Sequence, residues 1–281
     1  MIQLNNLTKK YGKANALSNI NIEINENKIY CLLGENGAGK TTFLRTISGL
    51  TQATEGEILV NGLKVNKLSM PEIVCFVEER ENHINLKIKD LISLAADFQD
   101  GFDTEFADDM IKKFNLNPDK KFKKLSFGMK TMVNTIIGLA STNKIVLFDE
   151  PVLGFDVIMR NKFYSLLEES IARHPKIIIV STHLIDEIAK IAEEIIIIHK
   201  GELLLRSNII DLQDKCYSVT GIASDVDKAV MGKNIINVHD IGKFKTVNVY
   251  DTRIEENDRI QISNEGLQDF FANLIGGEIN E

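Results

Sequence analysis

Three short stretches of this chain carry side chains whose types and spacing could do chemistry together. The first is Gly34-Glu35-Asn36-Gly37-Ala38-Gly39-Lys40-Thr41, followed by Thr42. It fits the pattern Gly-x-x-x-x-Gly-Lys-Ser/Thr. Glycines let a loop curl until consecutive N–H groups point at one anion, and a helix starting there adds a favourable dipole. Lys40 would reach the outer phosphates of a bound polyphosphate, and the Thr41 hydroxyl would ligate Mg2+. The second stretch is the apolar run 145–148 ending in Asp149, Glu150 and Pro151. Carboxylates at the carboxyl edge of a sheet stand where ligands bind in open α/β folds. Asp149 suits Mg2+, and Glu150, one residue on and facing the other way, suits a base or polarising group for an attacking water. The third is Leu125-Ser126-Phe127-Gly128-Met129, which opens a helix shortly before the acidic strand. A glycine-rich turn, or two solvated acids at a strand end, could each stand without function. Together, in a strand–loop–helix context, they describe a phosphate site.

These residues need a scaffold, and hydrophobic periodicity supplies one. Ile20, Ile22 and Ile24 alternate with Asn21, Glu23 and Asn25, and residues 56–62 form a similar segment bracketed by glycines. Both read as antiparallel strands with one wet face. Residues 29–33, 145–148, 177–180 and 195–198 are short unbroken apolar runs, the character of strands covered on both faces in a parallel sheet. Helical faces lie between them: residues 41–50; Met129, Met132, Val133, Ile136, Ile137 and Ala140; Phe163, Leu166, Leu167 and Ile171; and Leu184, Ile188, Ile191 and Ala192. Strands alternating with helices predict a doubly wound α/β layer. From about Glu78 to Phe122 the strand signal disappears. Phe106, Met110 and Phe114 mark a helix there, with Phe98, Phe102 and Phe106 as the insertion's own core. After Arg206, strands at 244–250 and 259–262 and a helix at 266–275 predict a small α+β appendage.

Composition narrows the class. The 281 residues are 44% hydrophobic, enough for a real core, and the net charge of −7 argues against a dedicated nucleic-acid binder. Cys31, Cys75 and Cys216 are widely spaced, as reduced thiols in a reducing compartment would be. No stretch has the length of a signal peptide's apolar core or of a membrane span, so the chain is expected not to cross a membrane itself.

Taken as an ordered set, the loop at Gly34, the segment Leu125–Met129, the acids Asp149 and Glu150, then Gly154-Phe155-Asp156 and Ser181-Thr182-His183 resemble the ATPases of ATP-binding cassette (ABC) systems. The resemblance covers about residues 1–206. It implies a P-loop NTPase of ABC-ATPase type, with a mixed sheet, an antiparallel β subdomain and a helical subdomain at about 80–140. A C-terminal accessory domain at 207–281 would follow. It also implies roles: Tyr11 stacking on adenine, or serving only as an aromatic in an N-terminal turn; Asp156 in the D-loop; His183 contacting the γ-phosphate and attacking water. Two cassettes would meet head to tail, the signature Ser126, Phe127, Gly128 and Met129 of one closing over ATP held by the other. The implied reaction is ATP and water to ADP and phosphate, with ATP and Mg2+ bound. The implied partners are an integral membrane permease on a separate chain, docking at about 80–124, and a second ATP-binding subunit, identical or related. No nucleic acid is expected, and the protein would sit on the cytoplasmic face of the membrane through its permease.

Two positions depart from the family pattern. Phe127 stands where glycine is usual. A glutamine that contacts metal and water is replaced by Glu79, with Glu78 beside it and the assignment open by one residue. Glutamate can ligate Mg2+ but, ionised, cannot donate a hydrogen bond. The texture of 148–156 and the small appendage resemble bacterial exporters of drugs, peptides or other amphiphiles. The alternatives are a soluble ABC ATPase, such as one serving iron–sulfur assembly, and a nucleotide-dependent regulator of low turnover. Translation-type members carry two cassettes and repair-type members long coiled coils; this chain has neither pattern.

Overall fold

The computed structural model describes residues 1–66, 71–78 and 84–276 and divides the chain into two compact units. The first comprises Met1–His183 with Ile195–Arg206; the second comprises Leu184–Glu194 with the chain from Ser207 on. In order along the chain the elements are β1 (Ile2–Tyr11), β2 (Ala14–Ile24), β3 (Ile29–Leu33), α1 (Lys40–Ile47), β4 (Glu55–Val60), β5 (Leu63–Lys64), β6 (Val74–Val77), α2 (Ile88–Phe98), α3 (Thr104–Lys113), α4 (Phe127–Ala140), β7 (Ile145–Asp149), α5 (Val157–Arg173) and β8 (Ile177–Ser181). They continue with α6 (Ile185–Ile188), β9 (Glu194–His199), β10 (Glu202–Asn208), α7 (Ile209–Lys215), β11 (Cys216–Ile222), α8 (Ala223–Ala229), β12 (Ile235–Ile241), β13 (Phe244–Tyr250), β14 (Ile260–Asn264) and α9 (Leu267–Gly276).

The first unit holds two sheets. One runs in the order β2-β1-β4-β5, with each pair antiparallel. The alternating isoleucines of β2 are buried and their polar neighbours exposed, as the period of two requires. β1 is less regular: its pairing with β2 shifts register after Leu4, where Asn6 adopts a left-handed φ of 51°. Asparagine tolerates that conformation better than most residues, which suits it to a bulge. The other sheet has the order β10-β9-β3-β8-β7-β6, and β3, β8, β7 and β6 run parallel. β3, β8 and β9 are buried throughout, the reason their sequences are unbroken apolar runs. One hydrophobic cluster joins both sheets to α1 through Leu4, Ile24, Leu32, Phe43, Leu147 and Ile196.

α4 is set against β6 and β7 by Gly138, where a Cβ would lie 2.6 Å from Val77 Cγ2 and 2.7 Å from Phe148 Cε1. Its C-terminal carbonyls are capped from within the fold: Leu139 O accepts from Ser170 Oγ (2.6 Å), and Ser141 O accepts from the buried Lys176 ammonium. α3 begins on Asp103, whose carboxylate accepts from Phe106 N (2.9 Å) and meets His174 Nε2 at 3.1 Å. Phe102 and Phe106 are buried here as expected, but Phe98 is 82% exposed. It is the last residue of α2 and lies past that helix's last buried position, Ile92, so it does not join the core.

In the second unit β12-β13-β11-β14 form an antiparallel sheet. Tyr217, Val219, Val247, Val249 and Ile260 pack with Val226 and Val230 on one face. The sequence puts residues 184–194 in the cassette; the structure gathers them with the appendage instead. Asp186 Oδ1 accepts from Gln268 N (3.4 Å) at the start of α9, and Glu193 O accepts from Ile209 N (3.0 Å). The helical periodicity of 184–192 survives only as the single turn α6. Among the described residues no helix is long and apolar enough to cross a membrane.

Candidate functional site

β3 delivers the chain into the glycine loop. A Cβ at Gly34 would lie 2.4 Å from Ile198 O, so any larger residue would push β9 away. Gly37 and Gly39 take left-handed φ values of 85° and 112°, which L side chains rarely adopt. Gly39 then forms the N-cap of α1 without a side-chain hydrogen bond, leaving the first N–H groups of the helix available to an anion. Lys40 is buried to 7% exposure and folds back over the loop, its Nζ donating to Gly34 O (2.7 Å) and Glu35 O (3.3 Å). Glu35, Asn36, Gly37, Gly39, Lys40, Thr41 and Thr42 line a cleft with Ala16, Asp149 and Glu150. Gly34 and Ala38 shape the loop from beneath, Ala38 being buried.

The two acids diverge at the end of β7. Asp149 is held on both oxygens: Oδ2 accepts from Thr41 Oγ1 (2.7 Å) and Oδ1 from Ser181 Oγ (2.6 Å). Glu150 has φ 49°, a left-handed conformation that costs a non-glycine residue about 1 kcal/mol. Its N–H is pinned by Ser181, donating to both O and Oγ at 3.1 Å. That turn sends the Glu150 carboxylate away from Asp149, and its Oε2 meets His183 Nδ1 at 3.0 Å. Behind the loop, burial and then the Glu150 charge push the Cys31 thiol well above its ordinary range, so it stays protonated.

A hydroxyl and a carboxylate on one cleft wall are hard oxygen donors. No group of three or more His, Cys, Asp or Glu among the described residues could hold a metal unaided. One protein carboxylate, a hydroxyl and the oxygens of a bound phosphate are the set that suits Mg2+, so Thr41 and Asp149 fit that ion. Glu79 lies outside the described residues. Its neighbour Glu78 follows β6 and forms an ion pair with Arg45 Nε (2.8 Å), one helical turn beyond Thr41 on α1.

Other expected site residues stand apart from the cleft. Tyr11 is half exposed at the end of β1, is not among the lining residues, and has the Lys9 ammonium 4.9 Å over its ring. Ser126 is the N-cap of α4, its Oγ accepting from Met129 N at 3.4 Å, and with Phe127 it faces solvent outside its own chain's cleft. The Phe127 ring lies on the bare α-carbon of Gly154, where a Cβ would come within 2.7 Å of it, and a Cβ at Gly128 would lie 3.0 Å from Gly154 O. Asp156 caps α5, accepting from Met159 N at 2.8 Å. Two participants escaped the sequence reading. Ser181, a hydroxyl ending an apolar run, clamps both acids; Arg45, four residues after Thr41, holds Glu78.

The model of the ABC transporter family matches residues 17–153. The lantibiotic transport ATP-binding protein SrtF of Streptococcus pyogenes is 31% identical over 73% of this chain and 90% of its own length. The bacitracin transport ATP-binding protein BcrA of Enterococcus faecalis is 27% identical over 99% of this chain and 97% of its own. Among solved structures, the dimeric post-hydrolysis state of the ATP-binding cassette MJ0796, bound to ADP and Pi, superposes with a TM-score of 0.66 at 27% identity, over 74% of this chain and 99% of that one.

Proposed function

This chain belongs to the ABC transporter family of ATP-binding subunits, and from that premise we propose that it powers the export of a peptide, drug or other amphiphile through a separate permease. The coarser activity follows from the family: hydrolysis of ATP to ADP and phosphate, coupled to transport. The observation that carries the residue assignment is the shared clamp, in which Thr41 and Ser181 fix Asp149 while Ser181 and His183 fix Glu150.

The loop N–H groups and Lys40 bind the phosphates, Lys40 exchanging its bonds to Gly34 O and Glu35 O for phosphate oxygens. Thr41 and Asp149 would hold Mg2+, which would supply charge neutralisation at the outer phosphates, with Glu79 as a further candidate ligand. Glu150 orients the attacking water and accepts its proton. His183 fixes the Glu150 carboxylate and reaches toward the γ-phosphate. Tyr11 stacks on adenine after leaving its contact with Lys9. Ser126 and the first N–H groups of α4, exposed on this chain, close over the γ-phosphate held by a second subunit; Gly128 and Met129 belong to that surface. Asp156 sets the start of α5 beside it. Loss of the bridging phosphate loosens the pair, and the permease converts that motion into transport.

A peptide-like cargo is supported by SrtF and BcrA, whose names assign them to lantibiotic and bacitracin transport. The permease docks on the helical stretch of α2 and α3, where Phe98 presents an exposed ring, and so holds the subunit at the inner face of the membrane. Residues 207–281 serve as an accessory domain. Phosphate release by the purified chain tests the assignment. Glu150→Gln should slow it about 100-fold or more with ATP affinity retained. Equal rates in both proteins would remove Glu150 from the chemistry, and failure of any multi-span protein to co-purify from native membranes would remove the transporter.

A further inference from the structure

α1 is tied to two neighbouring strand ends, one inside the phosphate cleft and one beside it. β6 and β7 run parallel in a register that sets Val77 next to Phe148, so the residues that follow, Glu78 and Asp149, leave the carboxyl edge of the sheet side by side. The two strands are about 5 Å apart, and paired positions on parallel strands send their side chains to the same face. Both side chains turn to α1: Asp149 Oδ2 accepts from Thr41 Oγ1 at 2.7 Å, and Glu78 Oε2 accepts from Arg45 Nε at 2.8 Å. Thr41 and Arg45 are four residues apart, one above the other on a single helix face. Successive turns of one helix therefore hold two adjacent carboxylates apart, the first by a hydroxyl and the second by a guanidinium.

The second tie has a consequence for charge. The Glu78 side chain is only 10% exposed, so a like charge on the next strand acts on it with little screening. The loop lysine does not answer that charge, because its Nζ is spent on Gly34 O and Glu35 O. Arg45 is the basic residue of the last turn of α1, and a guanidinium stays charged throughout the physiological range. Hard divalent cations bind more tightly as the number of charged oxygens around them grows. Glu150 is turned away to His183 Nδ1. Asp149 with the Thr41 hydroxyl is then a poor site for Mg2+ until phosphate oxygens join it. Asp149 with Glu78 would be a better one, and Arg45 stands in the way of that pairing.

We propose that Arg45 is a positioning residue that makes metal binding in the phosphate cleft conditional on nucleotide: it keeps the Glu78 carboxylate on its guanidinium and leaves Asp149 as the one carboxylate offered beside Thr41. The inference rests on the assignment of Thr41 and Asp149 to the metal. Mn2+, a paramagnetic stand-in for Mg2+, tests it on the full-length chain without nucleotide, the free ion being read by electron paramagnetic resonance. The parent should bind Mn2+ weakly. Arg45→Met, which releases Glu78, should bind it about tenfold or more tightly than the parent. Arg45→Lys keeps the charge and should stay near the parent, and adding either Glu78→Gln or Asp149→Asn to Arg45→Met should abolish the gain. The Arg45 side chain is one-third exposed, so its loss opens no core, and Arg45→Gln takes the place of Arg45→Met should the latter not fold. Equal binding by the parent and Arg45→Met, or a gain that survives Glu78→Gln, would overturn the role given to Arg45 and leave the metal assignment standing. Calorimetry of ATP binding separates the two: Mn2+ should tighten ATP on the parent and not on Asp149→Asn, and an equal effect on both would remove the metal assignment and this inference with it.

Discussion

Removing a single hydroxyl, Ser181→Ala, should loosen both carboxylates of the phosphate cleft at once. Ser181 is fully buried, donates to Asp149 Oδ1 at 2.6 Å and accepts from Glu150 N at 3.1 Å. The bond to an ionised carboxylate contributes about 1.5–3 kcal/mol, whereas the Glu150 N–H keeps its second partner, Ser181 O, and loses little. The expected destabilisation is therefore about 2 kcal/mol, or a melting temperature lower by roughly 4–8 °C for a chain of this size. Thr41 still holds the other Asp149 oxygen, so the carboxylate swings rather than escapes; turnover should fall about 10- to 100-fold, with KM for ATP little changed. Thermal melts and steady-state phosphate release read both numbers. Adding Asp149→Asn separates this mechanism from general damage: the two substitutions share one bond, so the double variant should lose about 0.5–3 kcal/mol less than the sum of the singles. A melting temperature within about 1 °C and turnover within about twofold of the parent would refute the clamp, that being the scatter of a neutral change.

Gly154→Ala places a Cβ 2.7 Å from the Phe127 ring at a φ of 81°, so stability should fall by about 1–2 kcal/mol, and pairing of two copies should weaken as the ring moves; Phe127→Gly in the same chain should restore part of both. Lys176 is buried and its ammonium is held down to about 8, below the 10.5 of an unfolded lysine. Below pH 8 both states are charged and the burial cost of roughly 3 kcal/mol is fully present; as pH rises from 8 to 10.5 the folded protein neutralises first and gains stability. The stability difference between the parent and Lys176→Met, followed by denaturant melts across that window, should change by that amount, and a flat difference would contradict it. For Asp103 burial alone would raise the carboxyl, but Phe106 N–H, His174 and Arg173 outweigh it and hold it below the usual aspartate range. Its contribution is present above the unfolded aspartate pKa and disappears as pH falls through the lower folded one; Asp103→Ala should cost about 1–2 kcal/mol at neutral pH and progressively less in acid.

Legibility in the sequence followed burial. β3, β7, β8 and β9 are covered on both faces, so each stands out as an apolar run. β1 mixes polar and apolar residues around a register shift at Asn6 and carries no clean period, and no strand was read there. β11 and β12 were also missed, because one face of their sheet is polar and the alternation does not contrast with an exposed loop. The apolar spacing of 184–192 read as a helix, but the chain keeps only one turn and docks those side chains in the second unit. At the site, the glycine loop was visible because close backbone approach and left-handed φ values demand glycine. Nothing in a serine after an apolar run says which carboxylate it will bind, and nothing in an aspartate or tyrosine says whether it lines a cleft or caps a helix. Ser181, Tyr11 and Asp156 needed coordinates.

In the proposed mechanism a nucleotide is shared between two cassettes, which this chain can supply as two copies. Sedimentation of Glu150→Gln with ATP and Mg2+ measures that directly. A dimer should form with ATP and dissolve with ADP, and adding either Lys40→Ala, which strips the phosphate loop, or Ser126→Glu, which puts a negative charge at the start of α4, should return the protein to monomer. A chain that stays monomeric in ATP, or a dimer indifferent to Ser126, would contradict it.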